Sequence, residues 1–231
     1  SQKYSLVFHV KHNYQNFEEK LFHVEKELFT SREFHNIFST TDSAISKLKE
    51  FEKILTIWNK DINLISKSTE PHIWWRHIAD TAQLVNLVSI KSKVIIDMGS
   101  GAGFPGIILS ILGSPEVHLV ESVGKKANFL KYVIKALSLD AKVHHSRIEA
   151  LKPFKVDIVT ARALAPLDKL LELSQKFIGK DTLQLYFKGD KFNIELDEAR
   201  KKWIFDFKTY KSLTNPSSRI IEVKRAKFIG S

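Results

Sequence analysis

Asp97-Met98-Gly99-Ser100-Gly101-Ala102-Gly103-Phe104-Pro105-Gly106 is the stretch that decides the reading of this chain. It follows a short apolar run, Val94-Ile95-Ile96, and opens a second one, from Pro105 to about Leu112. A strand thus ends at an acid, passes through glycines and enters a helix. Glycines let the backbone turn sharply and let a ligand touch it. Two registers fit. Gly101-x-Gly103-x-x-Gly106 matches the dinucleotide fingerprint. Asp97-x-Gly99-x-Gly101-x-Gly103 matches a loop that binds S-adenosylmethionine. The acid favours the second: a carboxylate two residues before the first glycine repels a pyrophosphate and attracts a sulfonium and an ammonium. Glu121, at the end of the next apolar run, suits the ribose hydroxyls of either ligand. Asp97, Gly99, Gly101 and Glu121 are therefore candidate cofactor residues, and both ligands stay open.

Outward from the loop the pattern repeats. Val117 to Glu121, Ala141 to His145, Val156 to Thr160 and Leu183 to Phe187 read as strands, and Lys125 to Leu137 and Leu167 to Phe177 as helices. Alternating strands and helices, with apolar runs buried on both faces, predict an α/β fold with a doubly wound, mostly parallel sheet. Trp203 to Tyr210 and Arg219 to Arg225 have no helix between them and predict an antiparallel edge. Upstream, Asp42 or Ser43 caps a helix to about Asn59. Ser68 or Thr69 caps a second through about Val88, with Pro71 in its first turn. The expected organisation is an N-terminal extension over 1–40, loosely ordered or a helical arm, a helical part over 41–92, and the main domain over 93–231.

Composition bounds the function. With 231 residues, 43% hydrophobic and 27% charged, the chain can bury a real core. It has no Cys, which excludes a disulfide framework, a thiolate zinc site and a thiol nucleophile, and fits a reducing, cytoplasmic compartment. His9, His12, His23 and His35 fit no ligand spacing, so no metal is expected. No apolar run approaches the roughly 20 residues of a membrane span, and Ser1 to Lys11 is a poor secretory signal. The net charge of +10 favours a polyanionic partner, nucleic acid ahead of membrane. Residues 161–231 carry 15 basic against 9 acidic side chains and supply most of that excess.

Several stretches together resemble the bacterial small-subunit rRNA guanine-N7 methyltransferase family, also called glucose-inhibited division protein B. Besides the glycine loop these are Trp58-Asn59 with Ile62-Asn63-Leu64, Arg76-His77-Ile78-Ala79-Asp80-Thr81, Glu121-Ser122-x-Gly124-Lys125-Lys126 with Phe129-Leu130, Thr160-Ala161-Arg162-Ala163, and Lys188-Gly189. Thr81 stands where the family commonly has Ser, and Glu121 where Asp is commoner. The likeness runs from about Leu48 to Arg225 and leaves residues 1–40 uncovered.

The resemblance implies a Rossmann-like methyltransferase fold and methyl transfer from S-adenosylmethionine to N7 of a guanine in 16S rRNA, free or in a small-subunit particle. The enzyme is expected to act as a monomer. The resemblance also implies cofactor contacts at Gly99, Phe104, Ile148, Glu149 and Arg162. Guanine N7 carries a lone pair and no proton, so the reaction needs no general base. His77 is open as a base, a structural group or an RNA contact. Arg162 is open as a holder of the cofactor carboxylate or of a phosphate. Lys188 sits at a strand's carboxyl end, where open α/β sheets bind ligands. These three are the catalytic candidates. Lys125, Lys126, Lys131, Lys188, Lys191, Arg200, Lys201 and Lys202 are candidates for steering phosphates. Trp74 and Trp75 are candidates for stacking on a base. The competing classes are a methyltransferase of another RNA or a small molecule, a dinucleotide-dependent oxidoreductase, and a non-enzymatic RNA-binding protein.

Overall fold

The computed structural model describes residues 29–230; His9, His12 and His23 lie outside them. Among the described residues, Thr30 caps the first helix, α1 (Ser31–Phe38), through a box with Glu33. Thr41 caps α2 (Asp42–Ile62), its hydroxyl accepting from the Ala44 N–H at 3.1 Å. Asn63, at φ 48°, ends α2 in the left-handed conformation that asparagine tolerates. Phe34 and Ile37 of α1 are buried, and Phe29 packs edge-on against Trp75 at 5.0 Å.

The single helix expected over about 69–88 is broken into pieces. A 3-10 turn at Glu70–His72 leads into a π-helical segment, Trp74–Ala79, and then into the short helices α3 (Asp80–Ala82) and α4 (Leu84–Leu87). The segment carries two consecutive tryptophans, both buried and each with its indole N–H satisfied. Trp74 donates to Glu52 at 2.7 Å and Trp75 to the Thr214 carbonyl at 3.0 Å. Neither is free to stack on a base.

The sheet has seven strands: β1 (Val94–Met98), β2 (Glu116–Glu121), β3 (Ala141–His145), β4 (Val156–Arg162), β5 (Ile178–Lys188), β6 (Trp203–Lys211) and β7 (Arg219–Phe228). Their order is β3-β2-β1-β4-β5-β7-β6. The first five are parallel, and β7 lies antiparallel between β5 and β6. The antiparallel edge is therefore as expected. Period-two alternation splits the core in two. Ile95, Val117, Leu119 and Ile158 face α1, α2, α5 (Gly106–Ile111) and α6 (Gly124–Leu137). Ile96, Met98, Val120 and Val159 face α7 (Leu167–Ser174) and α8 (Phe192–Lys202). The cluster that holds the first face extends without a break from Phe29 through the N-terminal helices to the sheet.

Candidate active site

A cleft of about 570 Å³ opens at the carboxyl ends of β1, β2 and β4, beside the point where strand order reverses. Its floor is the glycine loop, with Gly99, Gly101 and Gly103 at φ 70°, 53° and 91°. The glycines do different work. At Gly106 a Cβ would run into Leu119 Cδ2, and at Gly103 it would stand 2.6 Å from Ile107 Cγ1, so both permit close packing. At Gly99 a Cβ would meet Leu164 Cδ1 at 2.6 Å. At Gly101 the nearest atom would be 3.9 Å away, so that glycine keeps open space against the cleft.

Glu121 forms the next wall, with Oε2 accepting from the Gly101 N–H at 2.9 Å and Oε1 from the Val123 N–H at 2.7 Å. Both oxygens keep a further lone pair for hydroxyl groups. Opposite lies the 3-10 turn Ile148–Ala150. Its Ile148 is buried and its Glu149 exposed, and both line the cleft. The ammonium of Lys176 pins this turn, donating to the carbonyls of Ile148, Glu149 and Leu151 at 3.1, 2.7 and 3.0 Å. A lone lysine so far downstream carries no sequence signal for that role.

The roof comes from the N-terminal helices. Asn59 Oδ1 accepts from the N–H groups of Leu64 and Ile65 at 2.7 and 2.9 Å and shapes the connector that forms one rim. Phe104 is buried at 5% exposure, stacked on His77 with centroids 5.1 Å apart, and Arg162 lies over its ring at 5.8 Å. Arg162 donates to His77 Nδ1 at 3.1 Å and to the Arg76 carbonyl at 3.0 Å, and pairs through Nε with Asp80 Oδ2 at 3.2 Å. His77 contacts Thr69 Oγ1 at 2.9 Å through Nε2. Burial, and after it the positive charges of Arg162 and Arg76, push His77 down to about 3.

Eight of the ten expected site residues thus meet at one cleft: Gly99, Gly101, Phe104, Glu121, Ile148 and Glu149, with His77 and Arg162. Asp97 and Lys188 do not line it. Asp97 is fully buried beneath the loop, accepting from the Gly106 N–H and from Thr160 Oγ1, each at 3.1 Å. Burial raises it to about 6. Lys188 is buried, ion-paired with Glu195, and donates to the Ala165 carbonyl at 2.9 Å. It anchors the turn after β4 and faces a second, smaller cavity.

Of the phosphate-steering candidates, Lys126 reaches the cleft rim while Lys125 and Lys131 are exposed on α6. Lys201 and Lys202 pair with Glu198 and Asp168.

The profile of the family described as "GidB: rRNA small subunit methyltransferase G" matches residues 44–221. Proteins called ribosomal RNA small subunit methyltransferase G are close in sequence. That of Rhodospirillum centenum is 40% identical over 195 residues, covering 84% of this chain and 90% of its own. That of Orientia tsutsugamushi is 40% identical over 193 residues, covering 83% and 96%. Among solved structures, a point mutant of MtNAS in complex with S-adenosylmethionine aligns with a TM-score of 0.55 at 14% identity, over 94% of this chain and 89% of that one. A ribosomal protein L11 methylase from Lactobacillus delbrueckii subsp. bulgaricus aligns with a TM-score of 0.52 at 18% identity, over 63% and 78%. These likenesses carry the fold alone. With the family profile spanning residues 44–221 and relatives at 40% identity over most of both chains, this protein belongs to the GidB, or rRNA small subunit methyltransferase G, family.

Proposed function

We infer that the protein transfers the methyl group of S-adenosylmethionine to N7 of one guanine in 16S rRNA. The observation that carries this is the cleft at the reversal of strand order, built from Gly101, Glu121 and the Lys176-pinned turn in a chain of this family. The residues fit the cofactor. Gly101 leaves open the space a Cβ would fill, Glu121 keeps lone pairs for two ribose hydroxyls, and Ile148 with Glu149 frames a flat adenine edge. The dinucleotide register is less well served, because Gly103 and Gly106 point their missing Cβ atoms into the core and Asp97 lies below the loop.

Bound S-adenosylmethionine supplies an electrophilic methyl on a sulfonium. The protein's part is to bind, orient and exclude water. Positioning of two reactants contributes up to roughly 7–11 kcal/mol. No base is needed, and His77 is not poised as one: it is neutral, and both ring nitrogens are engaged. Arg162 is held on three sides, so its role toward the substrate is to keep the cleft wall rigid.

The substrate in this reading is small-subunit rRNA, free or in a particle, acted on by a monomer in the cytoplasm. The +10 charge supports a polyanionic partner. No helix among the described residues is long and apolar enough to cross a membrane.

The test is product mapping. Small-subunit rRNA incubated with enzyme and methyl-labelled donor, then reduced and treated with aniline, should give one new strand break, because 7-methylguanine is cationic and labile. Labelled RNA that resists cleavage would exclude N7.

A further inference from the structure

A second cavity, of about 180 Å³, lies between the Arg76–Asp80 segment, the ends of β4 and β5, and the β6–β7 connection. Arg162 and Ala163 wall both this cavity and the cofactor cleft. Whatever fills it is therefore next to the cleft, against two residues that both cavities share. One of them, Ala163, holds a left-handed φ of 55°, a conformation that non-glycine residues keep only where the surroundings enforce it.

The size suits one base. A single buried water takes about 10–15 Å³ of such space, so the cavity holds on the order of a dozen heavy atoms, the size of a purine. A purine inside a folded RNA is stacked, and enzymes that modify a base at close quarters extrude it into a pocket.

The polar groups are also specific. Among the described residues the Arg76 guanidinium has no hydrogen-bond or ion-pair partner, whereas Arg162 and Lys188 are both committed. Asp80 offers the complement. Its Oδ1 accepts from Gln83, Ser212 and Thr214, while Oδ2 accepts from Arg162 alone and keeps a lone pair. Arg76 thus offers the cavity a free donor, and Asp80 a free acceptor. Guanine presents the matching pair, an O6 acceptor beside an N1–H donor. Adenine presents the reverse, an amino donor beside an N1 acceptor.

We propose that this cavity receives the target base flipped out of the rRNA, and that Arg76 and Asp80 read it as guanine through O6 and N1–H. The proposal rests on the guanine-N7 reading and adds where the acceptor sits. The step balances without further reactants. The N7 lone pair forms the new N–CH₃ bond as the S–CH₃ bond breaks, and that bond's electron pair stays on sulfur. No proton moves, and the purine gains one positive charge, which the Asp80 carboxylate faces.

Single-turnover methylation of small-subunit rRNA, with cofactor affinity measured in parallel by calorimetry, tests this. Ser218→Trp fills the cavity and should slow transfer at least 100-fold while cofactor affinity stays within twofold. Arg76→Ala, which removes only the donor, should slow transfer 10- to 100-fold with the same unchanged cofactor affinity, and Arg76→Lys should restore part of it. Wild-type enzyme should accept hypoxanthine at the target position, since it keeps O6 and N1–H, and reject adenine. Full-rate transfer by Arg76→Ala overturns the proposal, and so does a loss of cofactor affinity as large as the loss of rate. If the wild type labels no N7 at all, the guanine reading itself falls and the proposal with it. A wild type that works and an Arg76→Ala variant that works equally well sinks the proposal alone.

Discussion

Arg162 donates to Nδ1 of His77 across 3.1 Å, and a guanidinium has no atom that can accept a proton. His77 must therefore carry its proton on Nε2 and give it to Thr69 Oγ1, whose own hydroxyl donates to the Ser66 carbonyl at 3.1 Å. A relay of three hydrogen bonds thus ties β4 to the connector at the cleft rim, and it works only with a neutral imidazole.

Stability should record that requirement. His77 titrates at about 3 in the folded protein against 6.5 in the unfolded chain. Between these values the unfolded state binds a proton that the folded state refuses. Its contribution is thus fully present above about pH 6.5 and is lost as the pH falls, at up to about 1.4 kcal/mol per unit. Asp97, raised from 3.8 to about 6, acts in the opposite sense: the folded state holds its proton longer, so stability declines as the pH rises from about 4 to 6. His77→Gln removes the first effect and keeps the second. In urea denaturation it should lose less stability than the wild type between about pH 6.5 and 4.5. Parallel pH profiles for the two proteins would contradict the buried neutral imidazole.

The chemical step should ignore these protons. N7 needs no deprotonation, His77 stays neutral throughout, and Asp97 is ionised above about pH 7. The single-turnover rate at saturating cofactor and RNA is therefore expected to be nearly flat from about pH 7 to 9. A rate that climbs tenfold per unit would mean that a base takes part.

Some of this architecture is local and so legible before folding. Val94 to Gly106 carries its own strand, turn and helix start, and its meaning needs no distant partner. The capping pair Thr30 and Glu33 is equally local, and it marks the start of the helix at Ser31–Phe38. Other features are tertiary. Helical periodicity cannot distinguish an α-helix from the π-helical widening at Trp74–Ala79, and the partners of its two indoles, Glu52 and the Thr214 carbonyl, lie on distant parts of the chain. Lys188 reads as a ligand-facing cation until Glu195, one helix later, is folded onto it. Asp97 reads as a cofactor contact, yet its oxygens hold the loop from beneath. Strand β7 inserts between β5 and β6, an order that two β-like runs in series do not reveal.

The glycines of the loop should separate by function. Gly101→Val puts a side chain into open cleft space at a left-handed φ, with a backbone cost of roughly 1–2 kcal/mol. It should remain folded and lose cofactor binding at least 100-fold. Gly106→Val drives its Cβ into Leu119 and Asp97 and should fail to give a folded protein. Circular dichroism with calorimetric titration distinguishes the two. A folded Gly101→Val that binds cofactor normally would remove the loop from the binding site.

Asp97 combines scaffolding and charge, and one substitution parts them. In Asp97→Asn the amide oxygen can still accept from Gly106, while the amide nitrogen donates to Thr160 Oγ1, whose hydroxyl turns to the Ile96 carbonyl 3.3 Å away. The fold should hold to within about 1 kcal/mol, comparable to one neutral hydrogen bond. What is lost is a negative charge beneath a cationic ligand. S-adenosylmethionine affinity should drop roughly tenfold at about pH 7.5, about 1.4 kcal/mol, and that of S-adenosylhomocysteine, which lacks the sulfonium charge, should drop less. Equal losses for the two ligands would place the effect in loop geometry instead.

The rRNA contact should be readable as a salt dependence, and the structure narrows which lysines contribute. Lys202 is tied to Asp168 at 2.9 Å across α8 and α7, and Lys201 to Glu198, so reversing either would disturb those pairs as well as any phosphate contact. Lys125 and Lys131 on α6 are exposed and have no ion-pair partner among the described residues, and Lys126 beside them lines the cleft. A strand of rRNA reaching the cleft past α6 would meet them. Each phosphate neutralised contributes about 0.7–0.9 to the slope of log affinity against log salt. The double variant Lys125→Glu, Lys131→Glu should therefore flatten that slope by roughly 1.4–1.8, weaken rRNA binding most at low salt, and leave cofactor affinity unchanged. Filter binding from about 50 to 300 mM salt measures it. A slope identical to the wild type's would take α6 out of the rRNA contact and shift attention to the basic C-terminal strands.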